Sequence, residues 1–117
     1  MKRIEETIDR MLLCIGKIEK FKVGLGKDTF ILEEEKTGAI EFELVVLGDL
    51  TNRLTDEFKA KTNYIKWADI KGLRNRLVHD YDGINFDDLW NTINEDIPKL
   101  KNDLLCIQMD LSKNKSE

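Results

Sequence analysis

Ile40-Glu41-Phe42-Glu43-Leu44-Val45-Val46-Leu47-Gly48-Asp49-Leu50 reads as helix, and that reading decides the fold class. Ile40, Leu44, Leu47, Leu54 and Phe58 recur at three-, four- and seven-residue spacing, so they fall on one helical stripe. Phe42, Val45, Val46 and Leu50 broaden it. An apolar face this wide predicts burial on two sides, by the core and by a second subunit. Upstream, Asp28 or Thr29 is placed to cap the helix, with Glu33 and Glu34 in its first turns, where the helix dipole favours acids. The pattern therefore predicts one helix from there to about Phe58.

Working outward, Gly24 and Gly26 break the chain before this segment. Ahead of them Ile4, Ile8, Met11, Ile15 and Ile18 mark a first helix over Lys2 to Lys22. Thr62 and Asn63 fit a turn. A third, shorter helix then carries Trp67, Ile70, Leu73 and Leu77 inward and ends near Asp80 to Gly83. Phe86, Trp90, Ile93, Ile97, Leu100, Leu104 and Leu111 mark the last helix. Pro98 lies inside it and should bend it or remove one backbone hydrogen bond. Ser112 to Glu117 reads as a polar, frayed tail. Four helices with short connections predict an all-α four-helix bundle, a single domain over 1–117.

Composition narrows the function classes. Charged residues make up 36% of the chain, and no apolar run approaches the length of a membrane span. Charges in Met1-Lys2-Arg3-Ile4-Glu5-Glu6 occupy the place of a signal peptide's apolar stretch, so the expectation is cytoplasmic. Cys14 and Cys106 lack metal-ligand spacing, and the expectation for each is a buried small apolar side chain. The net charge of -4 argues against a general nucleic-acid binder. Its distribution reopens the question. Lys59, Lys61, Lys66, Lys71, Arg74 and Arg76 form a basic stretch, while Glu33, Glu34, Glu35, Glu41, Glu43, Asp49, Asp56 and Glu57 form an acidic one. A local basic patch can hold phosphate on an acidic protein, although ordinary solvated helix faces would show the same charges.

The chemistry concentrates in Arg74-Asn75-Arg76-Leu77-Val78-His79-Asp80-Tyr81. His79 is the one histidine. A histidine near a helix end is commonly structural, because its charge suits the C-terminal dipole. Here Arg, Asn and Tyr stand around it, the groups needed to bind a phosphate and move protons. On a regular helix Asn75 and His79 are about 40° apart, whereas Arg74 and His79 are about 140° apart. Arg74 meets His79 only if its side chain sweeps round, if the helix frays, or if a second subunit closes the site. Arg76 is the easier same-helix neighbour, and geometry alone does not choose between the two arginines.

Arg74, four residues, His79, one residue, then Tyr81 resembles the Arg-x4-His-x-Tyr signature of HepT-like toxins in the HEPN superfamily, with the expected polar residue after the arginine present as Asn75. Leu47-Gly48-Asp49 is similar to the family's Gly-Glu pair in the second helix. Ile65 to Leu73 is similar to the stretch leading into the motif, with Lys66 where a proline is common. Gly83-Ile84-Asn85-Phe86, Leu89-Trp90 and Asp96 to Leu100 resemble the family's segment beyond the motif. The resemblance implies a dimeric four-helix bundle with the motif lining a cleft at the dimer interface. It also implies an endoribonuclease toxin paired with a cognate minimal nucleotidyltransferase antitoxin. That partner would silence it by adding AMP to Tyr81. Arg74 and His79 become the catalytic pair, with Asn75 and Arg76 in support.

These residues allow RNA cleavage without metal or cofactor. The ribose 2′-OH attacks the adjacent phosphorus, leaving a cyclic phosphate and a free 5′-OH. A base and an acid are needed, and two histidines across a two-fold axis would supply both. Arg74 would stabilise the phosphorane, since a guanidinium binds phosphate bidentately. Asn75 would orient the phosphate or the imidazole; Arg76 and Lys71 would touch the RNA backbone. Tyr81 has three uses open to it: a hydrogen-bonded half-buried ring, a substrate contact, or the nucleotidyl acceptor, and the resemblance favours the last. The alternative function is a non-catalytic helical partner subunit that binds nucleotide or RNA for a nucleotidyltransferase.

Overall fold

In the computed structural model, which describes residues 2–115, the described chain is helical and contains no strand. Four longer helices carry the packing: α1 (Lys2–Lys22), α3 (Glu34–Thr51), α5 (Trp67–His79) and α7 (Ile97–Lys115). Three short ones lie between them: α2 (Lys27–Phe30), α4 (Asp56–Lys61) and α6 (Phe86–Asn91). α3 is central, packing on α1 along one side and on α5 along another, while α1 also packs on α7. The core is where the stripes meet: Ile8, Met11, Ile15 and Ile18 of α1 face Ile40, Leu44, Leu47 and Leu50 of α3, and Leu100, Leu104 and Ile107 of α7 complete it.

The single helix expected from Asp28 or Thr29 to Phe58 is instead three. Thr29 sits inside α2, where its hydroxyl accepts from the Gly26 N–H at 2.8 Å. A turn comes next, and the buried Thr37 hydroxyl donates back to the Phe30 carbonyl to fix α2 on α3. α3 stops at Thr51, and Thr55 starts α4 by accepting from the Phe58 N–H at 3.1 Å. The apolar period runs through this break because Leu54 stays buried in the turn. Thr62 closes α4: its hydroxyl donates to the Phe58 carbonyl at 2.8 Å and accepts from the Trp67 indole at 3.1 Å. The expected turn at Thr62 and Asn63 is there, and it aims α5 across α3.

Pro98 acts as expected, through a particular device. Residues Thr92–Asp96 form a π-turn in which the Ile97 N–H reaches back to the Thr92 carbonyl. The widened turn leaves room for the proline ring and absorbs its missing donor. The expected fray from Ser112 does not occur in the described residues: α7 continues to Lys115, propagated past the buried Leu111. Residues 116 and 117 of that tail lie outside the described residues. Cys14 is buried as expected, but Cys106 is exposed. It lies beside the Leu100, Leu104, Ile107 and Leu111 stripe, about 100° from Ile107, and so faces outward. Glu43, grouped with the acidic patch by sequence, is buried at 7% exposure. Burial, then the charge and hydrogen bond of Glu43, push the Cys14 thiol up to about 11.

Candidate active site

The motif occupies the second half of α5 and the 3-10 turn Tyr81–Gly83 beyond it. α5 stays regular through His79, and the Asp80 N–H caps it on the Arg76 carbonyl at 2.9 Å. Fraying is thereby removed as a way to bring Arg74 to His79.

Arg74 faces α3. The two helices approach so closely that a Cβ on Gly48 would lie 2.3 Å from the Arg74 Cβ and 3.3 Å from the Ile70 carbonyl. Gly48 is what admits the arginine. One residue on, Asp49 accepts from Arg74 Nε at 2.7 Å, and Asn75 Oδ1 accepts from Arg74 Nη1 at 3.2 Å. Two acceptors thus hold the guanidinium through Nε and Nη1, and Nη2 has no hydrogen-bond partner among the described residues. The basic and acidic patches of the sequence interlock at this pair, with the Arg74 side chain 27% exposed.

His79 is exposed at the helix end, and among the described residues it makes no hydrogen bond or ion pair. Arg76 lies on a different side of α5 from Arg74. It lines a cleft of about 520 Å³ between α5 and the start of α7, over a floor that includes Leu47, Leu73 and Leu100. Neither Arg74 nor His79 lines that cleft. The two arginines between which helical geometry alone did not choose therefore stand in different surroundings, Arg74 against α3 and Arg76 in the cleft. Asn75 stays with Arg74 rather than bridging to the imidazole.

Tyr81 stands 48% exposed, its ring edge-on to Phe86 at 6.4 Å. Its hydroxyl donates to Glu41 Oε1 at 3.1 Å, tying the motif turn to α3. Burial, then the Glu41 charge and hydrogen bond and the more distant Glu34, raise the Tyr81 phenol above its ordinary range. Gly83 tightens the turn: a Cβ there would fall 2.5 Å from an Asp80 carboxylate oxygen. Asp49 and Glu41 have roles that the charge pattern alone does not give. The signal for Asp49 is the glycine beside it, because a Gly inside an apolar helical run marks a close backbone approach. No sequence signal picks out Glu41.

Among the described residues no three of His, Cys, Asp or Glu stand together as metal ligands. No helix among them is long and apolar enough to cross a membrane. The family described as Ribonuclease HepT-like matches residues 11–107. A relative in Methanocaldococcus jannaschii, named "Gamma-glutamylcyclotransferase and putative RNase", is 29% identical over 98% of this chain, which spans only 52% of that protein. A "Putative RNase" of Caldanaerobacter subterraneus subsp. tengcongensis is 33% identical over 75% of this chain and 78% of its own length. A "Probable ribonuclease HepT" of Thermococcus cleftensis is 28% identical over 83% of this chain and 88% of its own. No solved structure matches significantly.

Proposed function

Because the chain belongs to the HepT-like ribonuclease family, we propose that it is a metal-independent endoribonuclease, the toxin of a toxin–antitoxin pair, whose active site forms between two copies of the chain. The observation that carries this reading is the separation of Arg74 from His79. Arg74 is held toward α3 by Asp49 at 2.7 Å, while His79 lies five residues on, about 140° round an unbroken helix. Among the described residues no hydrogen bond joins the two within one subunit, and they share none of the clefts described. A two-fold axis beside α3 and α5 supplies each arginine with a histidine from the other copy. Phe42 at 63% exposure on α3 and Val78 at 46% on α5 leave apolar surface next to the motif for such an interface.

In the shared cleft one imidazole takes the 2′-OH proton and the other protonates the leaving 5′ oxygen. Arg74, whose Nη2 has no other partner among the described residues, binds the phosphorane. Asp49 and Asn75 hold it in place, so little reorganisation is needed when charge develops. Arg76 and Lys71 contact the backbone at a distance from the chemistry. The requirement for a 2′-OH nucleophile selects RNA over DNA. A cognate minimal nucleotidyltransferase silences the enzyme by adding AMP to Tyr81, whose position two residues past His79 lets an added phosphate block the cleft and repel RNA. Expression of the wild-type chain alone should arrest growth, and His79→Ala should relieve it. A harmless wild type would contradict the toxin reading.

A further inference from the structure

Tyr81 is seated by three contacts: its hydroxyl on Glu41, its ring edge-on to Phe86, and the backbone of its turn, where the Ile84 N–H bonds the Tyr81 carbonyl at 3.1 Å. The seat has one unusual member. Glu41 uses Oε1 for the tyrosine, while Oε2 is shielded from solvent and has no hydrogen-bond partner. A carboxylate with one unsolvated oxygen holds its charge poorly, so its affinity for a proton goes up. Burial accordingly raises the Glu41 carboxyl above its ordinary range, and the Tyr81 hydrogen bond offsets part of that.

We propose that Glu41 is the proton acceptor that makes the Tyr81 hydroxyl a nucleophile toward phosphorus. The inference rests on the reading of Tyr81 as nucleotidyl acceptor and names the group that reading lacks. As Tyr81 Oη attacks the α-phosphorus of a nucleoside triphosphate, the Oη–P bond forms. The bond from phosphorus to the leaving pyrophosphate breaks, and the phenolic proton passes along the 3.1 Å hydrogen bond to Glu41 Oε1. The proton then leaves to water. The product carries a phosphate where the hydroxyl was, facing the Glu41 carboxylate with Glu34 nearby, so like charge drives the modified ring out of its seat. The same carboxylate assists the transfer and evicts its product.

Tyr64 is an internal reference. It is the second of the chain's two tyrosines and is 53% exposed, close to the value for Tyr81. Its phenol is also raised, by burial, then by the charges of Asp103 and Asp110, and then by Cys106. Among the described residues it lacks a hydrogen-bonded carboxylate. Both phenols are shifted in the same direction, and the adjacent acceptor is what distinguishes the two rings.

The test labels the intact protein with an arylsulfonyl fluoride and maps both tyrosines by mass spectrometry. In wild type Tyr81 should react about tenfold faster than Tyr64 or more. Glu41→Gln keeps an acceptor for the hydrogen bond but takes up no proton; it should bring Tyr81 down to the Tyr64 rate with Tyr64 unmoved. Glu41→Asp should recover part of the difference. Equal rates in wild type, or a Tyr81 rate unmoved by Glu41→Gln, overturn the proposal. In the second arm, ATP with magnesium and the cognate nucleotidyltransferase, kcat for AMP transfer should fall about 10²-fold in Glu41→Gln with KM unchanged. An unchanged kcat overturns the proposal as well. If sulfonylation shows the expected pattern but wild type takes no AMP on Tyr81, the silencing reading falls and the proton-acceptor role of Glu41 stands.

Discussion

Gly48→Ala isolates the contact on which the arginine depends. The added Cβ would lie 2.3 Å from the Arg74 Cβ, whereas carbon atoms pack best at about 3.5–4.0 Å. The Arg74 Cβ is fixed by the α5 backbone and cannot rotate away. At least about 1.2 Å must therefore open between α3 and α5. Overpacking of this kind costs about 1–3 kcal/mol, against which alanine returns about 1 kcal/mol of helix propensity. The net expectation is a loss of up to about 2 kcal/mol, or up to roughly 8 °C in melting temperature for a domain of this size. Circular dichroism melting reads it directly. Gly16→Ala is the control, because nothing lies within 4 Å of its added Cβ and only the propensity gain remains. The displacement also moves Arg74 relative to Asp49, and a shift of about 1 Å in a catalytic group can cost roughly 10² in rate. A Gly48→Ala protein stabilised as much as Gly16→Ala would refute the reasoning, since it would mean that the added Cβ meets no clash and that α3 and α5 do not approach this closely.

Phe30 is 1% exposed and packs against Phe86 and Trp90 at centroid distances of 6.2 and 5.2 Å. Phe30→Ala should cost about 3–5 kcal/mol in urea unfolding. With Ellman's reagent at pH 8, the exposed Cys106 should react at once and the buried Cys14, its thiol held near 11, only on unfolding. The raised thiol contributes stability below pH 9 that is lost as pH rises toward 11; Cys14→Ala should flatten the fall in melting temperature over that window. Light scattering of the isolated chain at micromolar concentration should give a dimer or a dimer of dimers, and a stable monomer would remove the shared cleft.

The elements that carry strong helical stripes were legible in the sequence. α1, α5 and the Pro98 disturbance arise from apolar spacing and from the chemistry of glycine and proline. The stretch Asp28 to Phe58 misleads because Leu47, Leu50, Leu54 and Phe58 keep helical spacing across a real break. The Thr55-Asp56-Glu57 cap signal marked that break, but periodicity outweighed it. Cys106 could have been placed from its misfit with the α7 stripe. The candidate site was legible as a motif but not as geometry. Helical spacing turns Arg74 and Arg76 about 200° apart, but which of them faces α3 is shown only by the close packing of Gly48 on Arg74. Glu41 meets Tyr81 across 40 positions of sequence, a contact that exists only once α3 and the motif turn are packed together.

The central claim is that His79 and Arg74 cut RNA by proton transfer and charge stabilisation. The most direct measurement is cleavage of RNA by the purified chain with EDTA present, with end-group analysis of the products. The account predicts cleavage in EDTA that leaves 5′-hydroxyl and cyclic phosphate ends. His79→Ala and Arg74→Ala should each be slower by about 10² to 10⁴ while still folded, and Arg76→Ala should be affected only in binding and its salt dependence. RNA bound but not cut by wild type, or a His79→Ala protein as fast as wild type, would contradict it.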